Sequence, residues 1–245
     1  MNILQKIIEN KKEELENNKS NGKNFKKIFA KKDANIIGEI KIASPKFDYS
    51  NEINLEEVFK FYGENKDMKA ISNLIDEKYF SGDILRGKNI KQKYNKPIFF
   101  KEFIISKTQI DGANYFGYDA ILLLERVLSE KEIIDFSDYA IQKNIFPIIE
   151  IDTEKGLEKV LNLPLLTKDG LGEGFGIAIN CRNLGTMELD RKKHFSIIKN
   201  YEKFLENKLV FAFSGIDNLE QIKEYKNKFN GVLVGSYFMN KLKNK

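Results

Sequence analysis

Short apolar runs recur along the whole chain, separated by polar segments with helical spacing. The runs are IIGEIK (36–41), AISNLI (70–75), PIFFKEF (97–103), AILLL (120–124), FPIIEI (146–151), FGIAIN (175–180), LVFAFSG (209–215) and GVLVG (231–235). Runs of this length, rich in Ile, Val, Leu and Phe, read as parallel strands buried on both faces. Between them lie KTQIDGANYFG, SEKEIIDFSDYAIQKN, TEKGLEKVLN, LDRKKHFSIIKNYEKFLE and NLEQIKEYKNKFN. Several of these open on Ser, Thr, Asp or Asn and close near Gly or Asn, as capped helices do.

Eight strand–helix units in 245 residues predict an α/β fold, the (β/α)8 TIM barrel. An open doubly wound sheet would show a glycine-rich turn after its first strand. Here IASPKFDYS follows instead. The first strand starts only at Ile36, so residues 1–35 are expected to form an N-terminal helical extension covering part of the barrel. Residues 36–245 are expected to form the barrel, the whole being one domain. The glycine-punctuated LPLLTKDGLGEG (163–174) is read as a surface excursion.

Charged residues fall at the C-terminal ends of these strands, where the active sites of such barrels lie. Glu39 and Lys41 are two apart and share a face on a strand, as do Lys101 and Phe103. Glu150 and Asn180 each end an apolar run. A barrel interior cannot hold unpaired charge cheaply. Two lysines, two glutamates and an asparagine at matching ends of four strands therefore indicate an acid–base site that takes an anion. Near the ends of the last two strands, Ser214–Gly215 and Gly235–Ser236 place glycine beside serine where a strand is expected to turn into a helix. Backbone N–H groups and a helix N-terminus there would cradle a phosphate.

Composition narrows the chemistry. Lys and Arg number 41 against 36 acidic residues, a formal net charge of +5. The charges are interspersed along helices, not blocked, so nucleic-acid binding is not expected. No apolar run approaches the roughly 18 residues of a membrane span, and the charged N-terminus lacks a secretory signal, so the cytoplasm is the expected location. One cysteine, Cys181, excludes an internal disulfide and a Cys-based zinc cluster. The one histidine, His194 in RKKHF, is expected on a helix surface. A histidine-rich metal site or a Ser–His–Asp triad is not expected.

The motifs EIKIASP, LIDEKYFSGD, FFKEFIISKTQI, DAILLLERVLS, IIEI, INCRNLGTMELD, SGI and LVGSYFM together resemble the indole-3-glycerol-phosphate synthase family. The resemblance spans nearly the whole chain. It implies a decarboxylating ring closure of a carboxyphenylamino-deoxyribulose phosphate, with no metal or organic cofactor. Carried over by motif, Lys101 would be the general acid at the substrate carbonyl oxygen. Glu150 would move protons in the later dehydration, Glu39 would position the acid–base groups, and Lys41 would contact the anionic substrate. Asn180 and Arg182 would orient hydroxyl and carboxylate groups. Ser214, Gly215, Gly235 and Ser236 would hold the phosphate, with Ser44 in the matching S-P turn. Phe80, Phe103, Leu122 and Leu124 would wall the aromatic ring, or serve as plain core. A neighbouring tryptophan-pathway enzyme is a candidate partner.

The chain departs from the family's pattern at three places. The family's A-E-S-G-I is here Ala212, Phe213, Ser214, Gly215, so a ring replaces a carboxylate. The S-P-S-x-G turn is here Ser44, Pro45, Lys46, Phe47, Asp48, and the acidic residue of K-D-F is Glu102. The first two motivate a second expectation: a diverged barrel that binds a phosphorylated ligand with weak or no turnover. Another candidate, a related isomerase of the same pathway, matches Lys101 and Glu150 less well.

Overall fold

The computed structural model describes residues 3–17, 19–45, 47–49, 52–164, 174–183 and 185–243. Two helices, α1 (Ile3–Asn17) and α2 (Gly22–Ile28), precede the first barrel strand, β1 (Asn35–Ile40). A small hairpin follows, β2 (Ala43–Ser44) with β3 (Phe47–Asp48). Next come α3 (Leu55–Glu64), β4 (Met68–Leu74), α4 (Glu77–Phe80), α5 (Ile84–Tyr94), β5 (Ile98–Lys101) and α6 (Lys107–Tyr115). Then follow β6 (Ala120–Leu124), α7 (Glu130–Gln142), β7 (Phe146–Ile151), α8 (Glu154–Leu161) and β8 (Gly176–Asn180). The chain continues through α9 (Lys192–Asn200), α10 (Glu202–Leu205), β9 (Leu209–Phe213), α11 (Ile222–Tyr225), β10 (Gly231–Val234) and α12 (Ser236–Lys243).

The eight predicted apolar runs all become strands of one closed barrel, in the order β1-β10-β9-β8-β7-β6-β5-β4. The pairs are parallel throughout. Alternation along each strand sorts the side chains. Ile37, Ala70, Phe99, Leu122, Ile148, Ala178, Phe211 and Leu233 fill the interior. Ile40, Ile71, Phe100, Ile121, Ile149, Ile177, Val210 and Val232 pack outward under the helices. Large rings inside demand small neighbours. A Cβ on Gly231 would lie 2.8 Å from Phe211, and one on Gly176 would lie 2.7 Å from the same ring.

The N-terminal end of the barrel is plugged by α2. Its Phe25 stacks on Phe146 at 5.9 Å, and Phe29, just past the helix, meets Phe211 edge-on at 5.3 Å. Both rings are fully buried, and truncating either to Ala would cost about 3–5 kcal/mol. The Asp119 carboxylate ties this plug to the barrel, accepting from Asn21 N at 2.7 Å, Ile98 N at 2.8 Å and Lys91 Nζ at 2.6 Å. The opposite mouth is left to the functional groups.

Capping behaves as the sequence suggests: Ser106 and Ser129 each form a reciprocal capping box, and Thr153 caps α8. Three expectations change. The segment 192–205 is two helices, because Tyr201 leaves helical geometry at φ −118. The segment 218–230 yields only the short α11, since Lys226 turns extended (ψ 147) and Asn227 takes φ +63, donating its N–H to Lys32 O at 2.7 Å. His194 is helical but fully buried, not at the surface. Its neighbours in RKKHF are charged, yet the α9 face it occupies packs on β8 and β9. Most of the excursion at 163–174 lies outside the described residues.

Candidate active site

Three strand-end charges converge at the C-terminal mouth. Lys101, the last residue of β5, donates to Glu39 Oε1 at 2.6 Å. Lys41, just beyond β1, approaches Glu39 Oε2 at 3.5 Å. Burial pushes the Glu39 carboxyl up, but the Lys101 and Lys41 ammoniums outweigh it and hold it down at about 2. Burial pulls Lys101 down, and the carboxylates of Glu39 and Glu150 more than restore it, above the ordinary lysine value. Lys101 is therefore a fully charged donor with a fifth of its side chain open to the mouth.

Glu150, on β7, is the second buried carboxylate. Its Oε1 accepts from Asn180 Nδ2 at 2.9 Å, while Oε2 has no hydrogen-bond partner among the described residues. Burial raises its pKa, with Lys101 and Asn180 opposing. A carboxylate with a raised pKa and one unused oxygen is suited to proton transfer. Asn180 is itself fixed, since its Oδ1 accepts from Arg182 N at 2.9 Å. Arg182 donates from Nη1 to Met187 O at 3.2 Å, in the loop after β8.

The expected phosphate residues lie at the ends of neighbouring strands, because β9 pairs with β10. Gly235–Ser236 leads straight into α12, as predicted. A Cβ on Gly235 would lie 2.6 Å from Glu39 Oε2, so a side chain there would push the carboxylate off its place between the lysines. Ser214–Gly215 does not lead into a helix; residues 216–221 intervene before α11. Both take left-handed backbone, φ +67 and φ +71. A Cβ on Gly215 would also meet Cys181 Sγ at 2.8 Å.

The remaining predicted residues divide. Phe80 and Phe103 face each other at the rim, with ring centroids 6.3 Å apart. The expectation that Phe103 shares a strand face with Lys101 fails, because β5 ends at Lys101. Glu102 accepts from Phe103 N at 2.6 Å, and the turn leaves Phe103 48% exposed. Leu122 and Leu124 are buried in the barrel interior. Ser44 pairs with Phe47 in the hairpin after β1, and Lys46 lies outside the described residues. Glu125 does not stand in for the missing carboxylate: it ion-pairs with Lys159 of α8 at 2.9 Å.

Two features carried no sequence signal strong enough to find them. His194 reaches Ile179 O at 3.0 Å and Phe213 O at 3.1 Å through Nε2, and Tyr225 OH at 3.1 Å through Nδ1. Carbonyls only accept, so Nε2 carries the proton and Nδ1 accepts from Tyr225. The ring thereby fastens the carbonyls just before Asn180 and Ser214. Arg126 grips Asp152 at 2.7 Å and 3.1 Å on the same oxygen, Oδ2, two residues beyond Glu150. Among the described residues no His, Cys, Asp and Glu cluster could hold a metal ion, and no helix is long and apolar enough to cross a membrane.

The closed parallel barrel and the acid–base groups at its C-terminal mouth define a (β/α)8-barrel of the enzymatic kind. The family profile described as indole-3-glycerol phosphate synthase matches residues 3–245. Over 237 residues the chain is 33% identical to the indole-3-glycerol phosphate synthase of Aquifex aeolicus, covering 96% of this chain and 85% of that protein. It is 31% identical over 221 residues to the tryptophan biosynthesis protein TrpCF of Buchnera aphidicola subsp. Schizaphis graminum, covering 89% of this chain and 45% of that protein. A mutant tryptophan synthase alpha-subunit of Pyrococcus furiosus superposes with a TM-score of 0.61 at 14% identity, covering 87% of this chain and 91% of that one, a likeness of fold. The chain belongs to the indole-3-glycerol phosphate synthase family, enzymes of tryptophan biosynthesis.

Proposed function

We propose that the mouth performs the reaction of this family as a carbon–carbon lyase. It closes the ring of 1-(2-carboxyphenylamino)-1-deoxyribulose 5-phosphate, releasing carbon dioxide and water and leaving indole-3-glycerol phosphate. The observation that carries this reading is the Lys101–Glu39 pair facing Glu150 across one mouth. Lys101, kept charged, gives its proton to the substrate carbonyl oxygen as the ring closes. Glu39 aims that ammonium, and Lys41 meets the substrate's negative charge. Glu150 takes a proton during dehydration, held by Asn180.

The phosphate rests on Ser214, Gly215, Gly235 and Ser236, and the aromatic ring against Phe80 and Phe103. Arg182 and Ser44 complete the substrate's surroundings, with Leu122 and Leu124 as the apolar floor. No cofactor enters this chemistry, and the cytoplasm is its setting. The fused TrpCF relative supports a neighbouring pathway enzyme as a partner of this barrel. The named relatives support the synthase reading, not that of a ligand-binding barrel without turnover. Incubating purified protein with the carboxyphenylamino substrate and following indole fluorescence tests it. Indole-glycerol phosphate should accumulate catalytically; substrate that remains unconverted at high enzyme concentration would overturn the proposal.

A further inference from the structure

Phe213 lies next to both Asn180 and Lys101. It ends β9, is fully buried, and lies in register beside Asn180, the partner of Glu150. On its other side Lys101 Nζ stands over the ring, 5.4 Å from the centroid. The ring packs against Phe99 at 6.0 Å. The backbone carbonyl of Phe213 accepts from Cys181 N at 3.2 Å and His194 Nε2 at 3.1 Å, which holds the strand end that carries the ring.

We propose that Phe213 is a positioning residue for Lys101, its ring face seating the ammonium beside Glu39 without offering the proton a second base. The inference rests on the reading of Lys101 as the general acid. A ring face attracts a cation through its quadrupole, most strongly where water is excluded. Unlike a carboxylate it cannot accept the proton, so the ring does not compete for it with an arriving substrate oxygen.

The test replaces the Phe213 ring by its pentafluoro analogue, which keeps shape and reverses the quadrupole. Phe213→Leu removes the ring, and Phe213→Tyr keeps it. Two readouts are taken: the titration of Lys101 followed by NMR of 13Cε-labelled lysine, assigned by loss of its signal in Lys101→Gln, and steady-state kinetics. The pentafluoro and Leu proteins should titrate Lys101 about one pH unit lower, and should lose about tenfold in kcat with KM nearly unchanged. Phe213→Tyr should stay near wild type in both. An unchanged Lys101 titration in the pentafluoro protein overturns the proposal, whatever the rates do. Absence of turnover in the wild-type protein would defeat the synthase reading instead, and the titration would still decide the role of Phe213.

Discussion

Lys101 and Glu39 meet at 2.6 Å although their strands are not neighbours. β4 runs between β1 and β5, and its residue level with Glu39 is Ser72, small enough for the two long side chains to join across it. Gly235 clears the space on the far side of Glu39. The ion pair thus depends on two residues without charge, one on each flank.

Glu39 titrates near pH 2 in the folded chain against an ordinary 4.5. A depressed carboxyl stabilises the fold above pH 4.5, and that contribution is lost as pH falls through about 2. The window amounts to about 3 kcal/mol. Urea melts between pH 5 and pH 2 should show this slope in the wild-type protein and a shallower one in Glu39→Gln. Equal slopes would mean that the pair contributes nothing to acid stability.

In the proposed reaction Glu150 works from its ionised form as proton acceptor, and burial holds its pKa above the ordinary value. Glu150→Gln should lower kcat about 10²–10⁴-fold with little change in KM. Asn180→Ala removes the donor that favours the charged form, so the acid limb of the kcat profile should move to higher pH. A limb that stays in place would detach Asn180 from this role.

Burial lowers His194 to about 4 from the ordinary 6.5, so the folded protein holds it neutral. Between these values the unfolded chain binds more protons, and stability rises with pH. Over the window the gain is on the order of 3 kcal/mol. Denaturant melts at pH 4.5 and pH 7.5 should differ accordingly in the wild-type protein, and much less in His194→Phe. That variant should be less stable at pH 7.5 by about 1–3 kcal/mol, because Ile179 O loses its donor and Tyr225 OH its acceptor.

The barrel was legible because its strands are buried on both faces and leave unbroken apolar runs. Glu39, Lys101, Glu150 and Asn180 were legible for the same reason: a charge or amide ending such a run has to point into the mouth. What escaped was set by contacts between distant parts of the chain. The burial of His194 is decided by the face α9 turns to β8 and β9, and RKKHF alone reads as solvated. The end of α11 is decided by Asn227 donating to Lys32, nearly two hundred residues earlier. The hairpin after β1 pairs only Ala43 with Asp48 and Ser44 with Phe47, too short for any periodicity. Phe213 was visible as a departure from a family pattern, but its place under Lys101 needed the closed barrel.

In the proposed reaction Lys101 delivers the proton on which ring closure depends. Single-turnover indole fluorescence of the wild-type protein and Lys101→Gln, both saturated with the carboxyphenylamino substrate, tests it most directly. Ring closure should slow by about 10²–10⁴-fold in the variant while substrate still binds and the melting curve stays cooperative. A variant that closes the ring at the wild-type rate would contradict the account.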